Sequence, residues 1–230
     1  IQPPRPHPQE HAAKYREMGW WKDKTFSEIL EPRAQQTPNR EAMSDARRRI
    51  SYGQLWSEVC RFAEFLRRQG VGRGDVVTLQ LPNRIEFPVV FFSLELIGAV
   101  ANKVVRFAEV VNARPEMDAK GGVKMSPMDV MRMCFTSGTT GNPKGVLHCF
   151  NTTLCTNEIF NRELGVTQDD VMLDYLPVGL NWGYCTLVQS VMAGARVVLM
   201  ERFSGEGALD LIEKEKVSYI PTAPASIVAM

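Results

Sequence analysis

No charge of one sign dominates this sequence: 27 Lys and Arg face 26 Asp and Glu, a formal net charge of +1 over 230 residues. That balance gives no support for long-range attraction to a polyanion. The run Arg47-Arg48-Arg49 is short and reads as a solvated turn, so no nucleic-acid partner is expected. Histidine is scarce, at three residues. The five cysteines, Cys60, Cys134, Cys149, Cys155 and Cys185, are odd in number, widely spaced and free of any Cys-x-x-Cys pair. Structural zinc and a disulfide framework are therefore disfavoured, and no metal ligands are assigned. Cys60 and Cys134 sit in apolar surroundings and read as small core side chains. A reducing, cytoplasmic setting is the expectation. Long hydrophobic runs are also missing. Phe87 to Val100, the most apolar stretch, is interrupted by Glu95 and is too short to span a bilayer. Ile1 to Gln9 is Pro-rich and polar, without the basic start and apolar run of a signal peptide. The start at Ile rather than Met leaves the true beginning open.

What is present is enough apolar material, 44% by residue, for one sizeable core or a core with a smaller lobe. Phe26 to Gln35 reads as a short helix. Ser51 and Gln54 form a Ser-x-x-Gln capping box, and Leu55, Val59, Phe62, Ala63 and Leu66 follow at helical spacing up to Gly70. Val76 to Leu81 reads as a strand. The next helix starts near Pro88 and stops at Gly98; it is apolar nearly all round, which predicts burial. Ala99 to Val105 is expected to be a strand, Phe107 to Lys124 a polar connection, and Ser126 to Asp129 one capped helical turn. Val130 to Phe135 is a strand. Cys149 to Leu164, Trp182 to Met192 and Glu206 to Lys214 read as helices; Val171 to Tyr175, Ala195 to Met200 and Val217 to Ile220 read as strands. This alternation predicts an α/β layered fold with largely parallel sheets. The expected divisions are a leader over 1–25, a first α/β segment over 26–104, a linker over 105–125 and a second α/β segment over 126–230.

The chemistry concentrates in Thr136-Ser137-Gly138-Thr139-Thr140-Gly141-Asn142-Pro143-Lys144-Gly145. Glycines at 138, 141 and 145 permit positive φ and close backbone approach to a ligand. Successive N–H groups can then converge on an anion. Thr136, Ser137, Thr139 and Thr140 add hydroxyl donors, and Lys144 adds an ammonium. The pattern is neither the ATPase loop nor a dinucleotide-binding Gly-x-Gly-x-x-Gly run. An exposed Gly/Thr turn is the plain alternative, but four hydroxyl residues, three glycines and a lysine in one short stretch argue for a phosphate site.

Phe135 to Val146 closely resembles the core motif of the acyl-adenylate-forming superfamily, which includes acyl-CoA synthetases, aryl-acid AMP ligases, peptide-synthetase adenylation domains and beetle luciferases. Ile50 to Leu55, Gly74 to Val77, Leu81-Pro82-Asn83 and Gly98 to Val100 resemble other segments of it. The resemblance covers nearly all of Trp20 to Met230, with a weak interval from Val105 to Val123. It implies an incomplete N-terminal domain of an adenylate-forming enzyme, shortened between Gly98 and Thr136 and without the later nucleotide motifs and mobile C-terminal domain. It implies that Thr136, Ser137, Gly138, Thr139, Thr140, Gly141 and Lys144 grip the β- and γ-phosphates of ATP, with Thr136 and Lys144 as the catalytic pair. Magnesium is expected with ATP.

The implied reaction activates a carboxylic acid to acyl-AMP and then forms a thioester with CoA. Two alternatives stay open. One is aryl-acid adenylation with transfer to a phosphopantetheinylated carrier protein, since Tyr15 to Trp21 resembles leaders of such enzymes. The other is a non-catalytic nucleotide-binding piece. Leu180, Asn181, Trp182 and Gly183 are the candidate acid-binding residues. Leu180 stands where many family members carry histidine, which leaves an apolar side chain to line an acyl pocket. Leu180 and Trp182 read equally well as core side chains, and Asn181 as a helix N-cap. His148 has either a phosphate-facing or, preferably, a surface-exposed role.

Overall fold

A computed structural model describes residues 8–100, 125–136 and 144–230. The elements are α1 (Gln9–Glu17), α2 (Ser27–Gln36), β1 (Glu41–Ser44), β2 (Arg49–Ser51), α3 (Tyr52–Arg68), α4 (Glu86–Ile97), β3 (Val130–Thr136), β4 (Lys144–Cys149), α5 (Phe150–Glu163), β5 (Val171–Asp174), α6 (Asn181–Ala193), β6 (Arg196–Leu199), α7 (Gly205–Glu215) and α8 (Pro224–Ala229). The chain divides into two compact units, each assembled from three segments. No helix among the described residues is long and apolar enough to cross a membrane.

The first unit takes Ile1–Glu28, Val59–Leu79 and Phe91–Thr156. Its core gathers around Phe26, whose ring lies 5.6 Å from Phe92 and 5.9 Å from Phe150. Fully burying an aromatic side chain of this kind is worth about 2–3 kcal/mol. Ser93 in α4 donates its hydroxyl to the Val59 carbonyl of α3 at 2.8 Å, satisfying a polar group inside an otherwise apolar contact. The α4 helix ends at Gly98, where φ is +76° and an added Cβ would strike the Met125 sulfur. β3 and β4 form an antiparallel pair.

The second unit takes Ile29–Glu58, Gln80–Val90 and Asn157–Met230. Its sheet has the order β2-β1-β6-β5, with β1–β6 and β5–β6 parallel and β1–β2 antiparallel. Met43, Met172 and Val197 in its strands are fully buried. Tyr52 is buried too, and its hydroxyl donates toward the carbonyls of Ser190 and Ala195. The capping box forms as its sequence spells it: the Ser51 N–H donates to Gln54 Oε1 at 2.8 Å, and the Gln54 N–H donates to Ser51 Oγ at 3.2 Å.

The α/β expectation holds, and the larger sheet is mainly parallel. Several local expectations are corrected. Val76 to Leu81 and Val217 to Ile220 are not ladder strands; they contribute only the isolated bridges Val76↔Val100 and Met172↔Tyr219. Ser126 to Asp129 is a turn rather than a helix, because β3 begins at the next residue. The Ser126 N–H donates to the Asp129 carboxylate there. Lys144–Cys149 is a strand, so the Gly-rich segment joins two antiparallel strands instead of leading from a strand into a helix. Helices α1 and α8 had no counterpart in the sequence reading. Residues 101–105 of the expected strand, the connection 107–124 and most of the Pro-rich leader lie outside the described residues.

Candidate functional site

The Gly-rich segment hangs from the β3–β4 pair. Cross-strand partners run from Arg132↔His148 through Met133↔Leu147, Cys134↔Val146 and Phe135↔Gly145 to Thr136↔Lys144. Thr136 and Lys144, the two candidate catalytic residues, thus face each other across the ladder at the mouth of the loop. Ser137, Gly138, Thr139, Thr140 and Gly141 lie outside the described residues. A bulge between Val130 and Arg132 resets the register at the other end.

Three ionisable groups collect beneath the pair in the first unit. Arg132 on β3 is 6% exposed and Glu95 on α4 is 4% exposed. Neither Glu95 carboxylate oxygen has a hydrogen-bond partner. Burial pushes the Glu95 carboxyl far above its ordinary value, with the Arg132 charge opposing in part. Burial also lowers the His148 imidazole, and Arg132 adds to that shift. Burial raises the Cys134 thiol, against the pull of Arg132. His148 is therefore not a surface side chain at a helix start. It sits in β4, half-buried, with Nε2 enclosed and without a hydrogen-bond partner.

The acid-binding candidates lie in the second unit, where β5 passes through a turn into α6. Asn83, 93 to 95 residues away in sequence, brackets that turn. Its Nδ2 donates to the Leu176 carbonyl at 2.7 Å, and its Oδ1 accepts from the Val178 N–H at 3.0 Å. Gly183 is buried, and a Cβ there would lie 2.6 Å from the Leu176 carbonyl oxygen and 2.7 Å from that of Pro177. Only glycine lets α6 start this close to the preceding backbone. Leu180 is the N-cap of α6, with extended backbone and no side-chain cap hydrogen bond. Asn181 is the first helical residue, so it is not the N-cap. Leu180 and Trp182 are 62% and 57% exposed, which rules out the core reading for both. Trp182 keeps one aromatic neighbour, Phe160, at 6.0 Å. At the end of β5, Asp174 is fully buried, and burial drives its carboxyl far above the ordinary range while the Leu176 backbone amide opposes.

The bracketing role of Asn83 was missed in the sequence. Its only visible signal was its place in the Pro82-Asn83 turn. Among the described residues, no group of three or more His, Cys, Asp and Glu gathers in a way that could hold a metal ion.

The AMP-binding enzyme family matches this chain over residues 30–105 and 102–230. The chain belongs to that family. Pyochelin synthase PchD of Pseudomonas aeruginosa (strain UCBPP-PA14) is 27% identical over 273 residues, covering 94% of this chain and 50% of that protein. A 2-succinylbenzoate--CoA ligase of Bacillus anthracis (strain A0248) is 27% identical over 216 residues, covering 79% of this chain and 45% of the ligase. The apo structure of MbtA from Mycobacterium smegmatis shares the fold with a TM-score of 0.88 at 24% identity, over 97% of this chain and 53% of that one. The chain spans about half the length of the curated relatives it matches. The 273 aligned positions with PchD exceed the 230 residues available, so that alignment opens gaps in this chain.

Proposed function

We propose that the protein activates a carboxylic acid with ATP, forming an acyl adenylate and releasing pyrophosphate. The observation that carries this reading is the Thr136 to Gly145 segment, seated on an antiparallel pair with Thr136 opposite Lys144, in a member of the AMP-binding enzyme family. A carboxylate oxygen attacks the α-phosphorus; the bond to the β-phosphate oxygen breaks, and its electron pair leaves with pyrophosphate. Hydroxyls of Thr136, Ser137, Thr139 and Thr140 donate to the departing phosphates. Gly138 and Gly141 let the backbone N–H groups approach, and the Lys144 ammonium offsets the growing negative charge. Donors set in place before the charge develops lower the barrier more than they tighten ground-state binding. Magnesium finds no ligand set among the described residues, and no step is assigned to it.

The exposed Leu180 and Trp182, with Asn181 beside them and Gly183 holding the helix start close, form the acid-recognition edge in this reading. The second half-reaction is attack of the CoA thiol on the acyl-AMP carbonyl, giving a thioester and AMP; likeness to a CoA ligase supports it. The alternative acceptor is a phosphopantetheinylated carrier protein, favoured by the Tyr15 to Trp21 segment and by the likeness to PchD over 94% of the chain. The test is pyrophosphate release by the intact protein with ATP, magnesium and a panel of carboxylic acids, with CoA and loaded carrier offered in parallel. Release without dependence on any acid sinks the adenylation reading. ATP binding by calorimetry without turnover leaves a nucleotide-binding module.

A further inference from the structure

At the C-terminal ends of the parallel strands β1 and β6, the second unit encloses a cavity of about 560 Å³. That size suits a small ligand. Three carboxylates line it, and each is already engaged. Asp45 accepts from the backbone N–H groups of Arg47, Arg48 and Ile85. Glu201 pairs with Arg84, and Glu215 pairs with Arg49 and Arg196. Two of the lining arginines are likewise committed, Arg48 to Glu58 and Arg49 to Glu41 and Glu215. Arg47, Arg202 and Lys214 also line the cavity, and among the described residues their side chains have no ion-pair or hydrogen-bond partner.

An independent observation points into the same space. Ser44, the last residue of β1, lines the cavity and is 2% exposed, yet its Oγ has no hydrogen-bond partner. A buried hydroxyl left unpaired is uncommon in a native fold and is accounted for by an absent ligand.

We propose that this cavity binds a compact multivalent oxyanion of the phosphate class, free or as a monoester. Arg47, Arg202 and Lys214 supply the charge, and the Ser44 hydroxyl donates from the buried wall. Phosphate suits the set because its oxygens accept from planar guanidinium forks and a point-charge ammonium together. This site lies apart in sequence from Thr136 to Gly145 and does not depend on the adenylation reading.

The experiment is a residue-resolved amide NMR titration of the chain with inorganic phosphate, and in parallel with glycerol phosphate, against sodium chloride at matched ionic strength. Saturable shifts at residues 44–49 and 199–202 are expected with phosphate and not with chloride. Arg47→Gln with Arg202→Gln should weaken them by about tenfold, the loss of a charge-assisted contact. Ser44→Ala should weaken them while leaving thermal stability intact, because the hydroxyl has no partner to lose. Equal affinity for the monoester means the site reads the phosphate group, and preference for inorganic phosphate means it encloses the free anion. Shifts that follow chloride equally, that survive both variants, or that appear only at residues 130–136 and 144–149 overturn the proposal.

Discussion

The β3–β4 pair of the first unit and the β5–turn–α6 segment of the second are built on opposite plans. The pair is positioned by its own ladder, whose register alone brings Thr136 opposite Lys144. The β5–turn–α6 segment is pinned from far along the chain, by two hydrogen bonds from Asn83 and by backbone pressed against Gly183. A ladder-borne loop places donors while leaving its tip adaptable, as a phosphate grip requires. A pinned turn presents a fixed edge, as shape recognition of an acid requires.

Substitution in the loop should therefore act on rate and substitution in the turn on stability. The largest effect is expected at Lys144→Ala, which should slow acid-dependent pyrophosphate–ATP exchange by about 10²-fold, the lower end for losing one electrostatic donor. Acid binding should change little. Exchange within about twofold of the parent at saturating ATP, far short of that loss, would remove Lys144 from the catalytic group.

Gly183→Ala comes next, at about 2–3 kcal/mol of stability by urea unfolding, because the atoms in the way are backbone and cannot swing aside. An unchanged midpoint would show that the turn yields and that the pinned description is wrong.

Each region also buries one carboxyl, Glu95 and Asp174, held above ordinary values of 4.5 and 3.8. The native state then keeps a proton that the unfolded chain releases. Stability from this source is complete below those ordinary values and falls as pH rises toward the native-state value, by at most about 1.4 kcal/mol per pH unit and group. Glu95→Gln and Asp174→Asn should flatten that slope and gain on the parent between about pH 4 and 7. Parallel pH curves for parent and variant would show that neither carboxyl carries the proton.

The smallest effect is expected at Asp129→Ala in the exposed turn entering β3, about 0.5–1 kcal/mol by thermal melting. A loss rivalling that of Gly183→Ala would mean that the β3–β4 pair, too, is pinned from its entry.

How much of this was legible follows from the range of the interactions. The Ser51–Gln54 box and the stop at Gly98 are local, and the sequence carries both in full. β4 went unread because Lys144-Gly145-Val146-Leu147-His148-Cys149 alternates polar and apolar only weakly and begins with Lys-Gly. A strict period-two reading of Val146, His148 against Leu147, Cys149 was the available signal. Val76 to Leu81 and Val217 to Ile220 have strand composition, yet each finds only one bridge partner among the described residues, and composition cannot supply a neighbour. The exposure of Leu180 and Trp182 depends on how tightly α6 starts at Gly183, a packing fact that reads in sequence only as one more glycine. Asn83 acts across more than ninety residues, beyond any local pattern.

The parallel pairing of β1 with β6 joins positions about 150 residues apart. On a ribosome adding roughly 5–20 residues per second, β1 waits roughly 8–30 s for that partner. Its early antiparallel neighbour β2 can pair at once, but the opposite edge of β1 stays open through the wait, an invitation to mispairing with another nascent chain. Synthesis speed downstream of residue 51, and chaperones that shield an unpaired strand, should therefore govern the yield of folded protein more than its final stability does.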